Sequence, residues 1–184
     1  MRSRAVAIGK IADILERRGE TDEALRIRRE EELPVYERLG DVRSRAVTMG
    51  KIADILEQRG ETDEALRIHI EERLPVAQGM RDLESIAHIR FSCAQLRLSR
   101  GEENADERET IVEELVESFD LLKQLQRAEG IAAVGSLLGA LLAAGSPEEA
   151  VRVLEESAAA FERLGDHEQA EQIGGLIDGI AKTT

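Results

Sequence analysis

Aromatic residues are almost absent from this chain of 184 residues, which has no Trp, one Tyr and three Phe. Few aromatic platforms for stacking bases and a formal net charge of −13 disfavour binding to nucleic acid or to anionic membranes. No apolar run approaches the roughly 20 residues that cross a bilayer, and no signal peptide opens the chain. The sequence therefore predicts a cytoplasmic protein with neither nucleic acid nor membrane as a partner.

Cysteine and histidine are also scarce, with one Cys and three His. Cys93 lies in an apolar run, so we expect it to be buried, and one cysteine builds neither a disulfide framework nor a Cys-based metal site. His69, His88 and His167 are far apart and match no metal-ligand spacing, and the chain has no phosphate-binding loop or nucleophile motif. The sequence predicts no catalytic residue, no metal site, no cofactor and no enzyme.

An internal repeat organises what is present. Residues 2–35 align without a gap with residues 43–76, at an offset of 41. The aligned stretches differ at six positions, which are Ala7/Thr48, Ile8/Met49, Arg17/Gln58, Arg28/His69, Arg29/Ile70 and Glu32/Arg73. Each copy is rich in Ala, Leu, Glu and Arg, which favour helices.

Each repeat is predicted to form two helices. In the first copy, apolar residues recur at helical spacing up to Arg18, and Gly19 provides the left-handed exit that ends many helices. Thr21 is expected to cap the second helix, which stops at Gly40, and Asp41 to cap the next one. We expect repeats at 2–40, 41–81, 82–129 and 130–165 and a capping helix at 166–182. The second helix of repeat 3 is expected to protrude by about two turns.

The spacing of small residues, large residues and turn glycines resembles the tetratricopeptide repeat (TPR) family in its longer variants of about forty residues. The matching positions are Ala12, Leu15, Gly19 and Ala24, then Ala53, Leu56, Gly60 and Ala65, and more loosely Leu138, Leu141, Gly145 and Ala150. The resemblance implies an all-α α-solenoid of four helical hairpins, wound as a right-handed superhelix and closed by the capping helix. It also implies a concave groove, lined by the first helices, that takes a peptide or helix of a partner protein.

Two features interrupt the helical pattern. Pro34 and Pro75 lie inside second helices, and the stretch from Ala24 to Gly40 is one residue longer than the stretch from Ala150 to Gly165 in the fourth repeat, which lacks this proline. An extra residue beside a proline indicates a bulge or kink, and we expect a bend near Leu33 and Leu74. The alternative is two helices split by a turn. Glycines inside first helices leave two readings open, namely close packing between neighbouring first helices and close approach of a ligand backbone.

The expected groove lining contains Gly9, Lys10, Asp13, Gly50, Lys51, Asp54, His88, Phe91 and Gln95. This lining suits a basic or amphipathic segment, although each Lys–Asp pair is equally an ordinary surface pair on a helix. The leading hypothesis is a protein-interaction scaffold. The alternatives are self-assembly through the uncapped N-terminal repeat, giving a homo-oligomer, and a sensor or regulatory region of a larger protein.

Overall fold

A computed structural model describes residues 1–101 and 105–183, and every regular element in that part is a helix, so the all-α prediction is confirmed. The chain forms two compact units, Met1–Asp82 and Leu83–Thr184. Each is built from helical hairpins in which a first helix packs against a second.

The N-terminal unit contains α1 to α4. Helix α1 is Arg2–Arg17 and α3 is Val42–Gln58. Helix α2 runs continuously through Thr21–Ile27, the π-helical turn Arg28–Glu32 and Leu33–Leu39, and α4 through Thr62–Arg67, the π-helical turn Ile68–Arg73 and Leu74–Met80. Helix α1 packs against α2, whereas α3 packs against both α2 and α4. The two predicted hairpins are therefore present, and α3 lies between two second helices.

The π-helical turns accommodate the two prolines of the second helices. In a regular α-helix the N–H of residue 34 bonds to the carbonyl of residue 30, but Pro34 has no N–H and its ring crowds that carbonyl. Instead, the N–H of Leu33 bonds to the carbonyl of Arg28, five residues back, and the N–H of Leu74 bonds to that of His69. The predicted bulge is confirmed and the split helix is wrong, while the bend stays a prediction.

The C-terminal unit contains five helices in the described residues. They are α5 (Leu83–Arg100), α6 (Ala105–Gln124), α7 (Ala128–Leu142), α8 (Pro147–Leu164) and α9 (His167–Thr183). Each packs against the next along the chain. Their buried face includes Cys93, Ile111, Leu115, Leu138 and Leu154, so the expected burial of the cysteine is confirmed.

The expected protrusion in repeat 3 is wrong. Helix α6 has 20 residues, close to the 18 of α8. Gly130, the first residue of the predicted repeat 4, lies inside α7, and the left-handed residue of the preceding turn is Gln126, with φ 54°. Part of the sequence assigned to the protruding helix, residues 102–104, lies outside the described residues.

The helix ends follow the sequence in most places. Gly19 and Gly60 have φ of 80° and 75°, and Gly40 also adopts the left-handed conformation. The Asp41 carboxylate accepts a hydrogen bond from the Ser44 N–H at 3.1 Å, as expected of a helix cap. The cap expected at Thr21 is wrong, because the helix already includes Thr21 and its N-cap residue is Glu20.

Glycines inside first helices make room for side chains from second helices. A Cβ atom added to Gly9 would lie 2.5 Å from Oε1 of Glu32, and one added to Gly50 would lie 2.8 Å from Cζ of Arg73. At Gly135 it would lie 2.8 Å from Phe119 and 2.9 Å from Ser157. The packing interpretation therefore applies, but the contact is between first and second helices and not between neighbouring first helices.

We predict that Gly135→Ala lowers the free energy of unfolding by about 1–3 kcal/mol, because the new methyl group overpacks a closed contact between helices. The matched control is Gly174→Ala in α9, where an added Cβ has no neighbour within 4 Å. This control is expected to be neutral or to stabilise by up to about 1 kcal/mol, since Ala favours a helix more than Gly does. Chemical denaturation of both variants measures the difference, and equal effects would contradict the packing explanation.

Candidate functional site

The nine residues expected to line the groove lie on three first helices and differ in accessibility. In the N-terminal unit they lie on α1 and α3, and in the C-terminal unit on α5. Four are exposed (Lys10, Lys51, His88, Gln95), three are half-buried (Asp13, Asp54, Phe91) and two are buried (Gly9, Gly50). The buried glycines face their own second helices, so the accessible candidates are the polar residues and Phe91.

Asp13 is held by a buried arginine and not by Lys10. The Arg28 side chain is 2% exposed, and its Nη2 donates to Asp13 Oδ1 at 2.6 Å and to Glu16 Oε2 at 3.1 Å. Its Nη1 donates to Glu32 Oε2 at 3.2 Å. We call Asp13, Glu16, Arg28 and Glu32 the Arg28 cluster. It joins α1 to the π-helical turn of α2, so Asp13 has a structural partner.

Glu32 extends the Arg28 cluster to the next repeat. Its Oε1 accepts a hydrogen bond from the Thr48 hydroxyl of α3 at 3.2 Å. Burial raises the pKa of the Glu32 carboxyl above its ordinary value of 4.5, although Arg28 and Thr48 favour its charged form. Because one guanidinium is shared among three carboxylates, the negative charge of Glu32, the most buried of them, is not fully compensated.

The second repeat has a different pair at the same two positions. His69 replaces Arg28 and Arg73 replaces Glu32, and the Nη1 of Arg73 lies 2.8 Å from Nδ1 of His69. Because a guanidinium only donates, Nδ1 accepts and the proton of a neutral His69 ring is on Nε2. The two π-helical turns thus carry different polar pairs on nearly identical hairpins.

The sequence did contain a signal for the Arg28 cluster. Two of the six differences between the aligned copies fall at its positions, Arg28/His69 and Glu32/Arg73, and a third, Ala7/Thr48, is the site of the hydroxyl that donates to Glu32. Paired changes between two otherwise identical repeats indicate side chains in contact. Spacing along one helix did not reveal it, because Asp13 and Arg28 lie on different helices.

The C-terminal unit has a buried carboxylate of its own. Glu114 on α6 is 4% exposed as a residue, and its Oε2 accepts from Nε of Arg97 on α5 at 3.2 Å. Burial raises the pKa of this carboxyl as well, against the opposing effect of Arg97 and Arg90. This ionic contact fastens α5 to α6, as the Arg28 cluster fastens α1 to α2.

A cavity of about 300 Å³ lies in the same unit. It is bounded by α5, the second half of α6 and the start of α7, and two expected groove residues, His88 and Phe91, line it. Glu84 and Glu129 contribute carboxylates to the lining. This cavity is an accessible concave feature that contains two of the residues predicted from the sequence.

Within 1–101 and 105–183, no three His, Cys, Asp or Glu residues are grouped so as to hold a metal ion. Over the same residues no helix combines the length and the apolar character needed to span a membrane.

Solved structures with TPR-like repeats resemble this chain. A protein from Podosopora anserina, described as a kinesin light chain with nearly identical TPR-like repeats, matches with a TM-score of 0.65 and 18% identity, over 100% of this chain and 98% of that one. BtubC from P. vanneervenii matches with a TM-score of 0.62 and 17% identity, over 96% and 79%. MamA matches with a TM-score of 0.56 and 15% identity, over 99% and 94%.

At these identities the likeness concerns the fold, and the chain has an all-α, TPR-like repeat fold. The sequence matches no family model and no curated protein. The expected hairpin architecture is thus confirmed at the level of the fold, and the binding residues stay a prediction.

We predict that Arg28→His and Glu32→Arg compensate each other. Arg28→His alone removes the guanidinium from buried carboxylates and is expected to cost about 3–5 kcal/mol of unfolding free energy. Glu32→Arg alone places a second guanidinium beside Arg28. The double variant recreates the pair found in the second repeat, so its loss should be smaller than the sum of the single losses by about 1 kcal/mol or more.

The matched control transfers two exposed differences between the same repeats, Arg17→Gln and Arg29→Ile. Each is expected to change the free energy of unfolding by no more than about 0.5 kcal/mol, and their effects should add. Urea denaturation of both sets provides the double-mutant cycles. Additive losses for the buried pair would show that the two positions do not interact as the geometry indicates.

Proposed function

We propose that this chain is a non-enzymatic scaffold whose first helices bind a peptide or helix of a partner protein. The TPR-like fold supports this function in general, since such repeats commonly mediate protein interactions. The observation that carries the proposal is the accessible cavity at α5, lined by His88 and Phe91. These two residues lie on a first helix, where the family resemblance places the binding surface.

The partner segment is proposed to be basic or amphipathic. The chain has 38 acidic and 25 basic residues, so cationic segments approach it more readily than anionic ones. Asp13 belongs to the Arg28 cluster, and exchanging it would disturb the fold as well as the surface. The exposed residues Lys51, His88 and Gln95 are better probes of binding. We place this function in the cytoplasm, consistent with a sequence that has one cysteine and therefore no disulfide framework.

We predict that a photo-crosslinking amino acid at Gln95 on α5 captures a partner from lysate of the source cell. The control places the same amino acid at Gln124, which is exposed on the second helix α6 of the same hairpin. Mass spectrometry of the adducts should give one recurrent partner segment from Gln95 and none from Gln124. Equal labelling at both positions, or none at either, would contradict binding along the first helices.

A second candidate function, self-assembly, is favoured by one comparison within the chain. Ile11 and Ile14 of α1 are 51% and 47% exposed, whereas their counterparts Ile52 and Ile55 of α3 are 1% and 0% exposed. Helix α3 lies between α2 and α4, while α1 has α2 on one side. The same apolar pair is thus buried in one repeat and accessible in the other, which suits pairing with a second copy.

We predict that the chain self-associates through this face of α1 and that Ile11→Asp abolishes the association. Burying a charge within an apolar contact is costly, whereas the exposed α1 face of a monomer tolerates it. The control is Val116→Asp, since Val116 is 38% exposed on α6 in the other unit. Light scattering over a range of concentrations measures the mass, and a wild-type monomer at the highest concentration would contradict self-assembly.

A further inference from the structure

The cavity beside α5 lies where the sequence of repeat 3 departs from that of repeats 1 and 2. In the earlier repeats a glycine on the first helix faces a long charged side chain, with Gly9 against Glu32 and Gly50 against Arg73. At the aligned position of the third repeat, 41 residues after Gly50, the chain has Phe91. The glycine contact with a long charged side chain is therefore not repeated at this position of α5.

A short side chain of α6 faces this cavity. Ser118 of α6 lines the cavity, and its hydroxyl donates to the Ala87 carbonyl at 2.8 Å. This hydrogen bond ties the hydroxyl to the backbone of α5, so it does not extend across the cavity. The space between the three helices is left at about 300 Å³. That volume is at the lower end for ligand pockets and suits one long side chain better than a whole cofactor.

The lining combines an apolar interior with carboxylates. Phe91, Leu122 and Val134 provide the apolar part, and Phe91 is half-buried. Glu84 and Glu129 are both exposed. An aromatic ring beside carboxylates attracts a cation, and the long stem of a lysine or arginine buries well against apolar groups while its charge stays near water.

The two carboxylates differ in their own partners. Glu84 is engaged by Arg127, whose Nη2 donates to its two oxygens at 2.7 and 2.8 Å. Within the described parts of the chain Glu129 has no arginine or lysine at ion-pair distance, and the Arg127 guanidinium interacts with it only at longer range. An incoming cation can therefore bind Glu129 without displacing an existing ion pair, whereas an anionic side chain would meet two carboxylates.

We propose that this cavity receives a lysine or arginine side chain of the partner segment, with its stem against Phe91 and Leu122 and its charge beside Glu129. The assignment rests on the proposed scaffold function and specifies the chemistry that one part of the site recognises. It makes the third repeat the source of selectivity for a basic residue.

The test uses random peptides displayed on phage and selected on the immobilised full chain. A selected peptide is then synthesised with a fluorescent label, and its affinity is measured by anisotropy. Variants of the peptide replace each lysine by norleucine or each arginine by citrulline, which keep the length and remove the charge. One such replacement is expected to weaken binding to the wild type by about tenfold or more, the size of a lost charge-assisted contact.

The chain variants identify where that cation binds. Glu129→Gln should weaken binding of the basic peptide by a similar factor. In this variant, the norleucine or citrulline replacement should cause no further loss of affinity. Glu113→Gln is the control, because Glu113 is exposed on α6 and does not line the cavity. Glu129 is itself exposed at the start of α7, so its replacement is not expected to disturb folding.

The outcomes separate the two proposals. Selected peptides whose binding depends on neither a basic residue nor Glu129 would overturn the cavity assignment and leave the scaffold function standing. Equal effects of Glu129→Gln and Glu113→Gln would overturn it as well. Failure to select any peptide, together with no crosslinked partner at Gln95, would overturn the scaffold function itself.

Discussion

The buried guanidinium of Arg28 is the interaction on which the N-terminal repeat depends. Pro34 removes one hydrogen bond from the second helix, and the chain responds with a π-helical turn at Arg28–Glu32. That turn contains both Arg28 and Glu32, which bond to each other and to α1 and α3. A local backbone adjustment thus holds both the ionic contacts within the first repeat and the hydrogen bond from Thr48 of the next repeat to Glu32.

The carboxylates of the helical hairpins have different partners in the two units. Around Arg28, carboxylates of α1 are engaged in holding two helices together, so Asp13 has little freedom to contact a partner. Around Phe91, the short side chain of Ser118 leaves space, and within residues 1–101 and 105–183 Glu129 has no arginine or lysine at ion-pair distance. Recognition of a basic segment is therefore better assigned to the C-terminal unit, whereas the N-terminal unit contributes an apolar face on α1 suited to association.

Features that depend on residues close together in the chain can be predicted from the sequence. The hairpins, the left-handed turns at Gly19 and Gly60, the Asp41 cap and the bulge before Pro34 all follow from local rules. The protruding helix predicted for repeat 3 is wrong because the turn lies at Gln126, which adopts the left-handed conformation, and Gly130 lies within the next helix. The partner of Asp13 was missed because Arg28 reaches it from another helix, which spacing along α1 does not show.

A ¹³C NMR titration of the Glu32 side-chain carboxyl tests the central claim, that one buried guanidinium serves several carboxylates, most directly. If Glu32 is buried and shares Arg28 with Asp13 and Glu16, the pKa of its carboxyl lies above the ordinary 4.5. The stability contributed by this group then falls as the pH rises from 4.5 through that higher value. A midpoint at or below 4.5 would mean that Glu32 is fully compensated or solvated, and would contradict this account of the Arg28 cluster.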